Sequence, residues 1–293
     1  MRREQEEDDD QYFKTTREHF LRTLEDPTDS KVLFETVASL KVERVLDVGC
    51  GIGQALFPLA VRTGATGVGI DLSLIGCRMA CEFYADHLPA ARVFFVRSGA
   101  ESIPFASDSF DVVNCRLALP YTDNARAIAE IARVLRPGGL FLLKIHHLRY
   151  YLHEFWQGLI SRDPLSIIHA GRVLVAGTIY HLFRRQPRVR LLNETFQTKW
   201  LLRSELAKHV LIIDREQPNS NPLTPDYVIH KKVENRTNLE IVCRTQRVAE
   251  TTSASAKKFV QMVRARKSLS RQGIGTSFRS FVETRHTPST RPY

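Results

Sequence analysis

A carboxylate followed by closely spaced glycines is the part of this sequence best suited to bind a ligand. The stretch VERVLDVGCGIGQALFPLA (residues 42–60) places Asp47 at the end of an apolar run, followed by Gly49, Gly51 and Gly53. Glycine adopts backbone conformations that other residues avoid and leaves no side chain in the way, so a ligand can approach the N–H groups of such a turn. The sequence therefore predicts a binding loop between a strand and a helix.

The spacing of this loop excludes the two commonest phosphate-binding loops. A Rossmann dinucleotide fingerprint needs glycine or alanine where Gln54 stands, and a Walker A loop needs Gly-Lys-Ser/Thr. Asp47 would repel a pyrophosphate but attract a cation. Asp71 lies 18 residues beyond Gly53 and can accept hydrogen bonds from two ribose hydroxyls. S-adenosylmethionine satisfies these requirements, because it has an adenosyl group and a positive charge but no diphosphate.

Apolar runs and amphipathic segments alternate around this loop. Strands are predicted at RVLDVG, GVGIDLS, RVFFVRS, FDVVNCRLAL and LFLLKIH, and helices at GQALFPLAVRTG, LIGCRMACEFYADHL and DNARAIAEIARVL. This alternation indicates a parallel sheet with helices on both faces. A helix RSELAKHV and a strand VLIIDRE follow. LEIVCRT is the favoured last strand, with YVIHKKV as its competitor.

Four segments resemble the class I S-adenosylmethionine-dependent methyltransferases, especially those acting on small molecules. They are VLDVGCGIG, VGIDLS, SGAESIPFASDSFDVV and EIARVLRPGGLFLL, within residues 42–145. The resemblance implies an α/β fold with a Rossmann-like seven-stranded sheet, helices on both faces, and S-adenosylmethionine as the cofactor. It also implies a set of cofactor-binding residues, namely Asp47, Gly49, Cys50, Gly51, Gly53, Asp71, Leu72, Gly99, Ala100, Glu101 and Cys115.

The sequence departs from the family's pattern at two places. Many relatives have an adenine-binding aspartate where Gly99 stands, and two histidines at the places of Leu119 and Pro120. The usual polar groups at the mouth of the site are therefore missing. His146, after the fifth strand, and Tyr121, after the fourth, are the candidate catalytic bases, because the carboxyl ends of parallel strands form the ligand crevice. The alternative for such a histidine is a structural role at the end of the strand.

The chain divides into five predicted segments. Residues 1–30 form a partly disordered, acidic N-terminal extension, and residues 31–147 form the cofactor-binding core. The apolar and aromatic insertion 148–190 is predicted to form a helical lid. Residues 191–246 complete the methyltransferase fold, and residues 247–293 form a basic, disordered tail.

The net charge of +10 is concentrated at the end of the chain. Residues 246–293 hold ten Lys or Arg against two Glu, which leaves a charge of only +2 for the rest. Because this tail lacks regular aromatic residues, we do not expect a nucleic-acid partner. The absence of an apolar N-terminal segment and of any stretch of about 18 uncharged residues predicts a cytoplasmic protein without a spanning helix. The five cysteines are expected to be free thiols, and no metal site is predicted.

Taken together, these features predict an enzyme that transfers a methyl group to a small, hydrophobic or aromatic acceptor under the lid. The lid residues have two other interpretations: simple packing onto the domain, or peripheral contact with a membrane, since HLFRRQPRVR sets arginines beside an apolar stretch. Two functional alternatives stay open. One is an RNA methyltransferase that uses the tail, and the other is a non-catalytic scaffold that binds the cofactor. The acceptor, the methylated atom and the oligomeric state are not indicated.

Overall fold

The computed structural model describes residues 15–25, 31–184, 186, 192, 194–217 and 223–233. The acidic N-terminal run, the segment LEIVCRT and the basic tail lie outside these residues.

Seven strands form one mixed sheet at the centre of the described part of the chain. They are β1 (Arg44–Val48), β2 (Thr66–Asp71), β3 (Val93–Arg97), β4 (Phe110–Arg116), β5 (Leu135–Lys144), β6 (Leu211–Gln217) and β7 (Asp226–Lys231), in the order β3-β2-β1-β4-β5-β7-β6. The first five strands are parallel, and β7 is antiparallel to both β5 and β6. The chain changes direction across the sheet between β1 and β4, so a crevice is expected at the carboxyl ends of these two strands. The predicted fold class is confirmed.

The seventh strand corrects the sequence-based prediction. YVIHKKV, the competitor, supplies β7, which pairs with β5 from Leu140↔His230 to Lys144↔Asp226. The favoured segment, LEIVCRT, lies outside the described residues. Both segments have apolar residues suited to a strand, so their local patterns do not distinguish them. The place of β7 depends on its pairing with β5 and β6, which are distant in sequence.

Seven α-helices accompany the strands in the described residues. They are α1 (15–25), α2 (Lys31–Ala38), α3 (Leu74–His87), α4 (Asn124–Val134), α5 (Leu148–Ser161), α6 (Pro164–Phe183) and α7 (Lys199–Ala207). The helix predicted from GQALFPLAVRTG is instead a series of turns containing a π-helical segment, Phe57–Val61. Pro58 explains the departure, since proline has no N–H to donate within an α-helix. The wider turn uses bonds such as Arg62 N–H to Phe57 O at 3.0 Å.

Apolar side chains pack on both faces of the sheet, because successive residues of a strand point to opposite sides. Leu46 and Phe141 pack on the side of α4 and α7. Val45 and Leu142 pack on the other side, with α1, α2 and α3. The fully buried Phe20 of α1 stacks on Phe83 of α3 with ring centroids 4.5 Å apart. Helix α1 is therefore part of this second core.

Helices α5 and α6 form a hairpin inserted after β5. They are in close contact, since a Cβ added to Gly158 would lie 3.1 Å from the backbone nitrogen of Ile167. Helix α6 buries five residues, Ala170, Val173, Ala176, Gly177 and Tyr180. Among the described residues it is the one helix long and apolar enough to cross a membrane, by length and composition alone. The sequence-based expectation of no such segment required about 18 uncharged residues, and Arg172 lies in the middle of this helix.

Candidate functional site

The glycine turn after β1 requires left-handed backbone at all three of its glycines. Gly49, Gly51 and Gly53 have φ angles of +70°, +54° and +83°. A Cβ added to Gly49 would lie 2.2 Å from the Cβ of Ala118, which follows β4. The turn is also tied to β2, because the N–H groups of Gly49 and Cys50 both donate to Ile70 O. The backbone is thus held firmly at the switch point of the sheet, without side chains in the way.

The carboxylate of Asp71 connects this turn to the end of β2. Its Oδ2 accepts the N–H of Gly51 at 2.9 Å, and its Oδ1 accepts the N–H of Ser73 at 2.8 Å. A carboxylate can accept about four hydrogen bonds in all. Each oxygen therefore retains capacity for one more donor, which is the arrangement needed to bind two neighbouring hydroxyl groups.

The residues expected beside an adenine ring lie next to Asp71. Leu72 is largely exposed, and a Cβ added to Gly99 would lie 3.4 Å from Leu72 Cδ2 and 3.0 Å from Glu101 Oε2. Ala100 is buried in the core, and Glu101 accepts the N–H of Asp123 through Oε1 at 2.9 Å. The structure therefore brings this group together, but it engages Glu101 in holding the start of α4.

Asp47 is buried near the end of β1, just before the turn, and is hydrogen-bonded by a polar side chain of β4. Asn114 of β4 lies opposite it in register and donates from Nδ2 to Asp47 Oδ1 at 2.6 Å. Burial raises the pKa of Asp47 to about 6, while the hydrogen bond from Asn114 opposes that rise. Asn114 Oδ1 is itself buried and has no hydrogen-bond partner among the described residues. An unpaired buried acceptor costs free energy, so a further donor is expected here. A cationic ligand would supply that donor to Asp47 and Asn114.

The two cysteines predicted among the cofactor-binding residues pack in this region. Cys50 and Cys115 are both buried, and burial raises the pKa of each thiol, that of Cys115 to about 12. The sulfur of Cys50 packs closely over Gly69, where an added Cβ would lie 2.7 Å from it. Both thiols therefore stay protonated and unreactive at neutral pH.

A second polar cluster lies beyond β5 and includes residues of the α5–α6 hairpin. Tyr151 donates its hydroxyl proton to Glu194 Oε1 at 2.5 Å, and its oxygen lies 3.2 Å from His146 Nδ1. Because the proton of Tyr151 is directed to Glu194, the tyrosine oxygen is free to accept from His146. This arrangement favours the tautomer with hydrogen on Nδ1 and leaves Nε2 as the basic nitrogen. His169 lies 3.6 Å from the other oxygen of Glu194.

The protonation states of this cluster follow from its burial. Desolvation lowers the pKa of His146, and the negative charge of Glu194 partly opposes this. Desolvation and the charge of Glu194 together raise the pKa of Tyr151. At neutral pH His146 is therefore a neutral base, whereas Tyr151 keeps its proton and cannot act as one.

Tyr121, the other candidate base, lies in a short turn after β4, Leu119–Tyr121, and is more than half exposed. The N–H of Thr195 donates to Pro120 O at 3.0 Å, so this turn lies beside the segment that carries Glu194. Leu119 and Pro120, where the resemblance implied two histidines, are both buried. These two residues therefore supply packing in this chain.

Three charged side chains lie together at the neighbouring strand ends. Arg116 Nη1 lies 2.6 Å from Asp226 Oδ1, and Lys144 Nζ lies 3.7 Å from Asp226 Oδ2. Two cations thus share one carboxylate where β4 and β5 end.

Sequence reasoning missed three residues of this site. Asn114 had a signal, because it is a polar residue inside the otherwise apolar strand FDVVNCRLAL. Tyr151 lies in the apolar and aromatic insertion 148–190, where its hydroxyl gave no separate signal. Glu194 had no signal, since it lies 43 residues from Tyr151 in a segment without a motif.

Two features together indicate the class of this protein. They are the sheet order, in which β7 lies antiparallel between β5 and β6, and the glycine turn after β1. Residues 46–143 match a family described as a methyltransferase domain. This part of the chain is a class I methyltransferase domain.

Several known proteins are similar to the chain. An uncharacterized methyltransferase, YcgJ, from Bacillus subtilis is 33% identical over 143 residues, which is 47% of this chain and 56% of YcgJ. A fatty-acid O-methyltransferase from Mycolicibacterium smegmatis is 36% identical over 134 residues, 45% of this chain and 47% of that protein. The chain thus spans about half the length of these relatives. The PH0226 protein from Pyrococcus horikoshii has the same fold, with a TM-score of 0.50 at 20% identity, covering 70% of this chain and 88% of that one.

Proposed function

We propose that this chain is an S-adenosylmethionine-dependent methyltransferase that acts on a small, hydrophobic acceptor. The main support is the position of the Asp71 carboxylate, which bridges Gly51 and Ser73 and keeps capacity for two more donors. A carboxylate at this place after β2 suits the two hydroxyls of a ribose. The methyltransferase domain at residues 46–143 is consistent with this ligand.

The residues on the other side of the turn fit the charged end of the same cofactor. The buried Asp47 and the unpaired Asn114 Oδ1 both suit the ammonium group of the methionine portion. Leu72, Gly99 and Ala100 would flank the adenine. When bound, S-adenosylmethionine supplies a methyl group activated by a positively charged sulfur.

His146 is the base that we assign to an acceptor carrying a hydroxyl group, because a carboxyl group is already ionised at neutral pH and needs no base. It would take the acceptor's proton on Nε2 while an Nδ1–H bond to Tyr151 holds the ring. Stacking on Tyr150, with ring centroids 4.1 Å apart, further restrains the imidazole. The negative charge of Glu194, which is linked to the ring by Tyr151, then stabilises the protonated imidazole. The methyl group would pass to the acceptor's oxygen as its bond to sulfur breaks.

The surroundings of His146 support a hydrophobic acceptor. Helices α5 and α6 would cover the crevice as a lid and exclude water from it. The cations Arg116 and Lys144, which share Asp226 at the ends of β4 and β5, suit a carboxylate on that acceptor. The similarity to a fatty-acid O-methyltransferase over 45% of the chain agrees with an acceptor of this type.

Calorimetric titration with S-adenosylmethionine tests the proposal, using wild type, Asp71→Ala and Asp111→Ala. Asp111 is a matched control, because its Oδ2 accepts two backbone N–H groups, those of Glu43 and Arg44, at 2.9 and 2.8 Å. It lies at the start of β4, at the edge of the sheet opposite the crevice. Both variants therefore lose a carboxylate that bridges backbone groups, but only one of them loses the proposed ribose contact.

We expect saturable binding to wild type and to Asp111→Ala, and loss of binding in Asp71→Ala. Circular dichroism of each variant verifies that it is folded. Absence of binding to folded wild type would refute the proposed cofactor. Equal loss in both variants would mean that Asp71 acts only by supporting the backbone.

A further inference from the structure

Helix α6 presents apolar residues on the side opposite its buried face. Leu165, Ile168, Val175 and Leu182 are all more than half exposed, with Leu165 at 77%. Their spacing of three, seven and seven residues places them in one stripe about 26 Å long at 1.5 Å per residue. A helix that is apolar on all sides normally requires a partner on each of them. Only 28% of the most apolar 18-residue stretch of α6 is buried in the structure.

Helix α5 carries a similar stripe. Leu152, Trp156, Leu159 and Ile160 follow the spacing i, i+4, i+7 and i+8, and all are exposed, with Ile160 at 73%. Ile160 and Leu165 lie on either side of the turn that joins the helices, so the tip of the hairpin is apolar as well. These eight residues of α5 and α6 are called the outer stripes below.

The charges around the outer stripes are predominantly positive. Residues 148–184 contain four arginines, Arg149, Arg162, Arg172 and Arg184, against two acidic residues, Glu154 and Asp163. Asp163 is engaged at the start of α6, where it accepts the N–H of Leu165 and the hydroxyl of Ser166. One oxygen of Glu154 is buried. Arg184 Nη1 lies 3.9 Å from Glu205 Oε1 of α7, so the hairpin combines exposed apolar residues with a small excess of cationic side chains.

We propose that the outer stripes dock this protein on an anionic lipid surface, with the helices lying in the plane of the interface. Exposed apolar residues combined with arginine are typical of interfacial helices, since the apolar groups enter the headgroup boundary and the cations contact lipid phosphates. A second copy of the chain would bring the same excess of arginine to the contact and so fits less well. Trp156 is an aromatic residue of the kind that such boundaries favour. Docking does not require methyl transfer, so it can hold even if the proposed activity fails.

Sedimentation with lipid vesicles tests this surface. The full chain is mixed with vesicles of phosphatidylcholine alone or of phosphatidylcholine with phosphatidylglycerol. Wild type is compared with the double variant Ile160→Gln and Leu165→Gln, and with Phe94→Gln as the control. Phe94 of β3 is also a large, exposed apolar residue, at 59%, but it lies outside the hairpin.

We expect wild type and the Phe94 variant to sediment with anionic vesicles and not with neutral ones. The affinity of the double variant should be at least about tenfold lower, because two apolar side chains no longer enter the lipid. Arg162→Gln should weaken binding about fivefold, since one basic residue near such a surface contributes about 1 kcal/mol. Added salt should weaken all of these interactions.

Tryptophan emission provides a second measurement that does not depend on sedimentation. The chain has two tryptophans, Trp156 and Trp200, so Trp200→Phe leaves Trp156 as the single reporter. Its emission should shift to shorter wavelength with anionic vesicles, because the indole leaves water.

Three results would overturn the proposal. The first is wild type that fails to sediment with anionic vesicles, and the second is equal sedimentation of the double variant. The third is that wild type is a dimer in gel filtration, the double variant is a monomer, and vesicles leave the emission of Trp156 unchanged. The outer stripes would then be a contact between copies of the chain.

Discussion

The buried charge of Asp47 should make the folded protein less stable at neutral pH than its uncharged counterpart. Asp47 is almost fully buried, and its hydrogen bond from Asn114 only partly offsets the loss of water. Asp47→Asn removes the charge and keeps an oxygen that can accept from Asn114. The substitution therefore isolates the cost of burying the charge.

The size of the effect follows from the pKa. A rise from 3.8 to about 6 corresponds to about 3 kcal/mol against the ionised form in the folded protein. Above about pH 7, Asp47 is ionised in both states and the whole penalty applies. Between about pH 6 and pH 4 only the folded state keeps the proton, so the penalty decreases as the pH falls, and below about pH 4 it is gone.

Urea unfolding of wild type and Asp47→Asn measures this directly. At about pH 8 the variant should be more stable by up to about 3 kcal/mol, and near pH 4 the difference should approach zero. Asp86→Asn, an exposed carboxylate on α3, is the control and should change stability little at either pH.

The same variant should bind S-adenosylmethionine more weakly than wild type, because it no longer attracts the ammonium group. Greater stability with weaker binding would show that the charge is maintained for the ligand at the expense of the fold. Our reasoning would be refuted if Asp47→Asn were no more stable than wild type at about pH 8, or if its gain were the same at both pH values.

Two further substitutions test the turn and the polar cluster. Gly49→Ala should abolish cofactor binding, measured by calorimetry, and should lower stability clearly more than Gly64→Ala, measured by urea unfolding. Gly64 has a similar φ of +76° but open space for a Cβ, so its variant should lose only about 1 kcal/mol. Equal losses of stability would contradict the predicted clash at Gly49. Glu194→Gln should lower kcat about 10²-fold and shift the acidic limb of the pH–rate profile to lower pH, because the charge that raises the pKa of His146 is removed. Glu205→Gln, a buried glutamate on α7, should change neither the rate nor the profile, and an unshifted profile for Glu194→Gln would assign that residue a purely structural role.

The polar cluster shows why part of the site could not be predicted. His146 was found because it follows a strand whose carboxyl end must lie at the crevice. Its contacts with Tyr151 and Glu194 depend on how the α5–α6 hairpin and the segment after it return to the sheet. No local pattern encodes such a contact, since the residues are joined only by packing.

The amino-acid sequence by itself determined the glycine turn, the five parallel strands and the carboxylates Asp47 and Asp71. These features are local, because they follow from the conformational freedom of glycine and from the alternation of apolar residues along short segments. Only the tertiary structure decided that Asp226–Lys231 is the seventh strand, that Asn114 faces Asp47, and that Glu194 supports His146 through Tyr151. Each of these depends on pairing or packing between segments far apart in the chain, where many arrangements compete and burial of the whole core selects one.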